Sequence, residues 1–217
     1  VPAKLSVLSL ELGPFDERTV LLVDPVTRET LVVDPGFEAE KILATIEREA
    51  LHPVAIALTH AHLDHAAGVS TLKRAFPAAP LLVHSDDLPL LDGLAEQARV
   101  FGLPEPETAG HDGLLEDGQK LGFGELEIEV RHCPGHSPGH VVLLWHDADH
   151  PVAVVGDVLF AHGVGRTDLW GGSWEDLEHS IRSVLYTLPD HTRVIPGHGP
   201  ETTIGEEKVS NPFVTFE

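Results

Sequence analysis

The segment Thr59-His60-Ala61-His62-Leu63-Asp64-His65 places four ligand-type side chains within six positions. Imidazole nitrogen and carboxylate oxygen are the donors that hold zinc and other first-row divalent ions. His60 and His62 are two apart, so on extended backbone they share a face. Asp64 and His65 follow as the chain turns and can enter the same cleft from another angle. One segment can thus serve two adjacent metal positions. Packed as core, three imidazoles this close would each need partners for both ring nitrogens, at a cost for every one left unmet. A solvated polar loop is the plainer alternative in a chain of 217 residues with 15 histidines.

Three later residues sit in similar surroundings, a Gly- or Pro-rich turn beside a strand. His136 lies in Pro134-Gly135-His136-Ser137-Pro138-Gly139, Asp157 ends the apolar run 152–156, and His198 lies in Pro196-Gly197-His198-Gly199-Pro200. Each is a weak signal alone, but together they complete a set for two ions. His60, His62 and His136 would hold one, Asp64, His65 and His198 the other, with Asp157 between them. Two divalent ions roughly 3.5–4 Å apart can share a hydroxide and polarise a substrate oxygen, so no serine or cysteine nucleophile is needed. Zinc is the first expectation, with iron or a mixed zinc–iron pair as the other loadings. The expected chemistry is hydrolysis of an activated acyl or phosphoryl bond, with Asp64 and Asp157 as the carboxylates at the reacting centre. A purely structural metal is disfavoured, because such sites are closed and four-coordinate and this set is larger.

The elements that must position these residues are legible from periodicity and turn chemistry. Residues 5–10, 19–24 and 30–34 are Val-, Leu- and Thr-rich and read as three strands of a meander, broken at Gly13-Pro14 and Asp24-Pro25. Residues 38–50 have the period of an amphipathic helix, with Ile42 and Ile46 on one face. A buried strand at 54–58 then delivers the histidine segment. The pattern predicts a helix over 67–75, a strand at 80–84, helix from 86 to 100 and a loop over 102–120. Residues 125–130 alternate acidic and apolar, as in a strand with one wet face. Strands follow at 140–145, 152–156 and 193–195. Ser173 is a helix N-cap with Asp176 three positions on, opening a helix to about residue 188. No linker separates two cores, which predicts a single domain over 1–217.

Composition removes several classes of function. The formal net charge is −21, a field that repels nucleic-acid phosphates and anionic membranes. No apolar run approaches the ~20 residues of a membrane helix, and the first ten residues are too short and too alternating for a leader. The single cysteine, Cys133, rules out an internal disulfide and a cysteine-rich zinc site, and favours a reducing compartment, the cytoplasm. No protein partner is indicated; a homo-oligomer is compatible with the sequence. Cys133 reads as a small thiol in a turn, and His84 as a hydrogen-bonding histidine. Asp34 reads equally as a turn residue or as a second-layer partner of a ligand histidine.

At this point the chain resembles the metallo-β-lactamase-fold hydrolases, whose hallmark is the T-H-x-H-x-D-H segment followed by separated His, Asp and His ligands. The likeness covers nearly the whole chain and implies an α+β, four-layer αββα sandwich with all seven residues as metal ligands. Within that family, Pro134–His140, Gly156–Phe160, Gly163–Gly172, Pro196–Glu207 and Asn211-Pro212-Phe213 resemble the compact prokaryotic members of the glyoxalase II-like branch. The resemblance implies hydrolysis of S-D-lactoylglutathione, or a related hydroxyacyl thioester, to a hydroxy acid and a thiol. With 19 residues after His198, it implies no separate C-terminal glutathione-binding helical region. Arg166 is a candidate for a substrate carboxylate or a partner of Asp168; His162 and Trp170 are further substrate-site candidates. Gly165-Arg166-Thr167-Asp168 also resembles the persulfide dioxygenase branch, which would use mononuclear non-haem iron on His60, His136 and Asp157.

Overall fold

The computed structural model describes residues 4–107 and 109–215. The chain divides into two compact units, one running to Leu115 with Gly122–Glu127 added, the other comprising Glu116–Leu121 and the chain from Ile128. The first three residues of the stretch considered as a leader lie outside the described residues.

In the first unit, β1 (Ser6–Leu12), β2 (Glu17–Val23) and β3 (Glu29–Val33) form the expected antiparallel meander. β4 (His52–Ala57), β5 (Leu81–His84) and β6 (Gly113–Leu115) then add in parallel, giving a sheet in chain order. Every residue of β2 is buried, the mark of a strand covered on both faces. α1 (Ala39–Arg48) lays Ile42 and Ile46 into a core with Leu21, Val23, Val32, Ile56 and Leu58. The helix expected at 67–75 is α3 (Val69–Ala75), preceded by a short helix not expected from the pattern, α2 (Leu63–Ala66). They part at Gly68, whose N–H donates to Pro35 O at 2.9 Å. A Cβ there would stand 2.4 Å from Gly36 O, so only glycine lets the two backbones meet. The helical stretch from 86 likewise divides at Gly93 into α4 (Leu88–Asp92) and α5 (Leu94–Phe101). The stretch 102–120 is not all loop: it contains β6, whose three residues carry too little pattern to be read as a strand.

The second sheet has the order β14-β13-β10-β9-β8-β7, from β7 (Lys120–Phe123), β8 (Leu126–His132), β9 (Val141–Trp145), β10 (Val152–Gly156), β13 (Arg193–Pro196) and β14 (Thr202–Thr203). The short strands β11 (Leu159–Phe160) and β12 (Gly163–Val164) pair as a separate hairpin. Leu126, Ile128 and Val130 are buried between more exposed neighbours, as alternation required. α6 (Trp174–Ser183) starts at Ser173, whose side chain accepts from Asp176 N. Its Leu177 and Ile181 pack with Val142, Leu144, Ala153, Val155 and Val194. A last helix, α7 (Ile204–Ser210), begins with Thr203 accepting from Glu206 N. Its Thr-x-x-Glu start is a capping-box signal that the sequence carried and our expectation did not use. Among the described residues no helix is long and apolar enough to cross a membrane.

Candidate metal centre

In the first unit the histidine segment leaves the end of β4, and β3 lies parallel beside it. Parallel pairing brings both strand ends to the same sheet edge, so Asp34, directly after β3, meets residues 59–65. Asp34 adopts φ 51°, a left-handed conformation that aspartate tolerates better than most residues, and its N–H still reaches Ala57 O at 3.0 Å. Its carboxylate is a buried hub. Thr59 N donates to Oδ1 at 2.7 Å, Thr59 Oγ1 to Oδ2 at 2.6 Å, and His65 Nδ1 lies 3.1 Å from Oδ2. Of the two readings of Asp34, the hydrogen-bonding one matches these contacts: its carboxylate is paired with Thr59 and His65. Two further side chains pin the segment. Asp87 accepts from Ala61 N at 2.9 Å, and Gln97 accepts from Leu63 N at 2.9 Å.

These contacts assign the histidine tautomers. A carboxylate only accepts, so His65 carries its proton on Nδ1. The Thr59 hydroxyl has given its proton to Asp34, so its lone pair accepts from His60 Nδ1, 3.0 Å away. In their neutral form both rings therefore present an unprotonated Nε2, the form a metal requires. The rings are close: His60–His65 centroids are 4.2 Å apart and His60–His62 4.8 Å. His65 Nε2 stands 3.7 Å from Asp64 Oδ2. His60 and His65 are fully buried, whereas the Asp64 side chain is 22% exposed.

The second unit repeats this logic. β10 and β13 are parallel, so Asp157 and His198 emerge at one edge, and antiparallel β9 begins there with His140 before it. His140 Nε2 accepts from Asp157 N at 3.0 Å, which fixes the backbone beneath the carboxylate. His136 Nδ1 lies 2.8 Å from Arg166 O; a carbonyl only accepts, so this ring carries its proton on Nδ1 and in its neutral form offers Nε2. Asp157 Oδ2 is 3.6 Å from both His136 Nε2 and His198 Nε2. That is beyond ordinary hydrogen-bond length and near the roughly 3.3 Å that separates two ligands of one tetrahedral zinc. The donor set and its spacing thus fit divalent ions. Gly165 makes the turn behind it possible: a Cβ there would lie 1.8 Å from Asp157 O and 3.2 Å from His136 Cβ. The partner of His140, the Asp157 amide, is visible only once β9 and β10 pair.

The remaining candidates have other surroundings. Arg166 forks onto Asp168, Nε to Oδ1 at 2.7 Å and Nη2 to Oδ2 at 2.9 Å, and both are exposed. Trp170 is 60% exposed. His162 has its N–H on Glu207 and its Nδ1 beside Ser210 Oγ. Cys133 is wholly buried, and burial pushes its thiol far up, away from thiolate chemistry.

Glu17 was missed by sequence reading. It is fully buried at the start of β2, with Oε1 accepting from Phe37 N at 2.8 Å. Burial raises its carboxyl from the ordinary 4.5 to about 7. A carboxyl raised in the fold contributes its stability at low pH and loses it as pH climbs from the unfolded value through the folded one. In metal-free protein, Glu17→Gln is therefore expected to be the more stable form at about pH 8, by on the order of 1–2 kcal/mol after allowance for screening, and to lose that advantage by about pH 5. Urea unfolding at the two pH values checks this; an unchanged difference would mean that Glu17 stays ionised in the fold.

The comparisons with known proteins agree with this geometry. Residues 13–198 match the Metallo-beta-lactamase superfamily. The chain is 38% identical to hydroxyacylglutathione hydrolase GloC of Haemophilus influenzae over 211 residues, covering 95% of this chain and 98% of that protein. The solved structure of the BLEG-1 B3 metallo-beta-lactamase is similar at TM-score 0.88 and 37% identity, over 97% of this chain and all of that one (100%). TTHA1623 in a di-iron-bound form is similar at TM-score 0.84 and 41% identity, over 95% and 100% of the two chains. The chain therefore has the α+β metallo-β-lactamase fold and belongs to the metallo-β-lactamase superfamily, with a likeness to GloC that is consistent with the glyoxalase II-like branch.

Proposed function

We propose that this superfamily member is a binuclear metal-dependent hydrolase of acyl thioesters, acting on S-D-lactoylglutathione or a related hydroxyacyl thioester. His60, His62 and His136 form one ligand set, Asp64, His65 and His198 the other, and Asp157 is shared. The observation that carries the reading is the forced tautomer of His60, His65 and His136, each held through Nδ1 by an acceptor that leaves Nε2 bare. Likeness to GloC along nearly the whole chain supports the thioester as substrate. Two divalent ions, when bound, supply Lewis acidity and make water a nucleophile at neutral pH. The protein's part is to hold the donors rigidly and to manage protons. Asp64, the ligand-set member open to solvent in the first unit, is placed to pass a proton outward. Arg166 enters substrate binding by exchanging Asp168 for a substrate carboxylate, a swap between exposed partners that costs little. His162 and Trp170 remain candidates for the substrate mouth.

The test is metal content per chain by elemental analysis, on protein purified without added metal, with S-D-lactoylglutathione turnover measured in parallel. About two equivalents of zinc, iron or a mixture, with thioester hydrolysis, is the expected result. About one equivalent of iron without hydrolysis, and oxygen consumption with glutathione persulfide, would replace this reading with the mononuclear dioxygenase on His60, His136 and Asp157. The similarity to a protein solved in a di-iron-bound form is the reason iron is assayed beside zinc.

A further inference from the structure

The chain that leaves Asp157 doubles back through the β11–β12 hairpin, and its surroundings tie the second unit's three proposed ligands together. Asp157 is two residues before β11. The Phe160 ring meets the His198 ring edge-on, with centroids 6.3 Å apart. Gly165 N returns to Val158 O at 3.3 Å, and the next residue's carbonyl, Arg166 O, holds His136 Nδ1. The hairpin's tip is strained, with His162 at φ 57°, a conformation that persists only where its surroundings impose it.

What imposes it lies 45 residues further on. Glu207 is fully buried, and three donors converge on its carboxylate. His162 N reaches Oε2 at 2.9 Å, Asn211 Nδ2 reaches Oε2 at 2.9 Å, and Thr202 Oγ1 reaches Oε1 at 2.7 Å. Asn211 Nδ2 also donates to Gly163 O at 3.0 Å. Asn211 is itself fixed, because its Oδ1 accepts from Phe213 N at 3.0 Å and Val214 N at 3.3 Å. One N–H and one C=O at the hairpin tip, those of His162 and Gly163, are thus satisfied by two side chains from the segment 204–215. Burying a carboxylate is costly unless its lone pairs are used, and here they hold backbone.

We propose that Glu207 and Asn211 form a clamp that fixes the β11–β12 hairpin and, through it, the orientation of His136, Asp157 and His198. They are positioning residues for the metal centre, and the inference rests on the proposed binuclear reading. Asn211→Asp tests it. This substitution keeps the bonds from Phe213 and Val214 but turns the Nδ2 donor into an acceptor facing Gly163 O and Glu207. Glu207→Gln is the conservative counterpart. Its amide oxygen can accept from His162 and Asn211, while its NH2 donates to Thr202 Oγ1, a hydroxyl that can turn.

The experiment is calorimetric zinc titration of metal-stripped full chain, with thioester kinetics alongside. Wild type should take up about two ions, and Asn211→Asp should lose about tenfold in zinc affinity, the low end of the cost of removing a direct outer partner of a metal ligand, because it acts through the hairpin. Its kcat should fall with KM little changed, and Glu207→Gln should keep zinc affinity close to wild type. Wild-type protein that takes up no zinc in the titration and carries no iron by elemental analysis would sink the binuclear reading and this inference together. Wild-type zinc binding with undiminished affinity in folded Asn211→Asp would overturn the clamp alone. If Asn211→Asp does not fold, hydrogen exchange on wild-type protein decides. The His162 amide should exchange about tenfold or more slowly than an open amide, and free exchange would overturn the clamp.

Discussion

Asp157→Asn is expected to empty both metal positions while leaving the fold intact. Asp157 is 8% exposed, and a single oxygen, Oδ2, stands 3.6 Å from His136 Nε2 and from His198 Nε2. In the proposed assignment those histidines belong to different ligand sets, so this carboxylate would be shared by both. Asparagine has the same shape and keeps the backbone N–H that donates to His140 Nε2. It offers a neutral amide where a charge was shared. The loss should exceed the 10–100-fold typical of an outer partner, so about 100-fold or more in metal affinity is expected, with turnover falling in step. His198→Ala, by contrast, should chiefly empty the second position. Elemental analysis after gel filtration compares the two variants. Full metal content and turnover in Asp157→Asn would remove the shared-carboxylate assignment.

The second large effect is expected from Asp34→Asn, which touches no metal in the proposed assignment. Asp34 Oδ1 accepts from the amide of Thr59, a backbone donor that cannot change role. The substituted side chain must therefore keep its oxygen there and turn its NH2 toward Thr59 Oγ1 and His65 Nδ1. The threonine hydroxyl can rotate, but the imidazole must become an acceptor at Nδ1. Its proton then moves to Nε2, the atom needed for the metal. Affinity for the ion on Asp64, His65 and His198 should fall by about 10–100-fold. Nitrogen-resolved NMR of the imidazoles is the direct check. His65 should be protonated at Nδ1 in metal-free wild type and at Nε2 in the variant. A His65 that keeps Nδ1–H in Asp34→Asn would show that Asp34 does not set the tautomer.

Much of the scaffold was legible because it rests on local rules. The alternation of 126–130 and the Ser173 cap each involve neighbours a few positions apart, and both are present. Helix breaks were less legible. The helix expected over 67–75 runs through Gly68, yet glycine is required there by the approach of residues 35–36. β6 escaped because an edge strand of three residues is defined by its pairing with β5, not by its own pattern. α7 was missed although Thr203 and Glu206 mark its start.

For the site, the division follows the range of the interactions. The sequence by itself singled out the candidate donors: a two-residue spacing puts His60 and His62 on one side of an extended segment, and Gly-Pro turns mark His136 and His198. The tertiary structure alone decided which nitrogen each ring presents, because those protons are set by Asp34, Thr59 and Arg166 O, partners brought in from other elements. It alone showed that Arg166 is already forked onto Asp168, and that Glu207 and Asn211 hold a hairpin far from them in sequence. The physical reason is that metal-donor chemistry belongs to a side chain and is written in its type. Protonation and orientation belong to hydrogen bonds between distant segments, and they exist only once parallel strands carry those segments to a common edge.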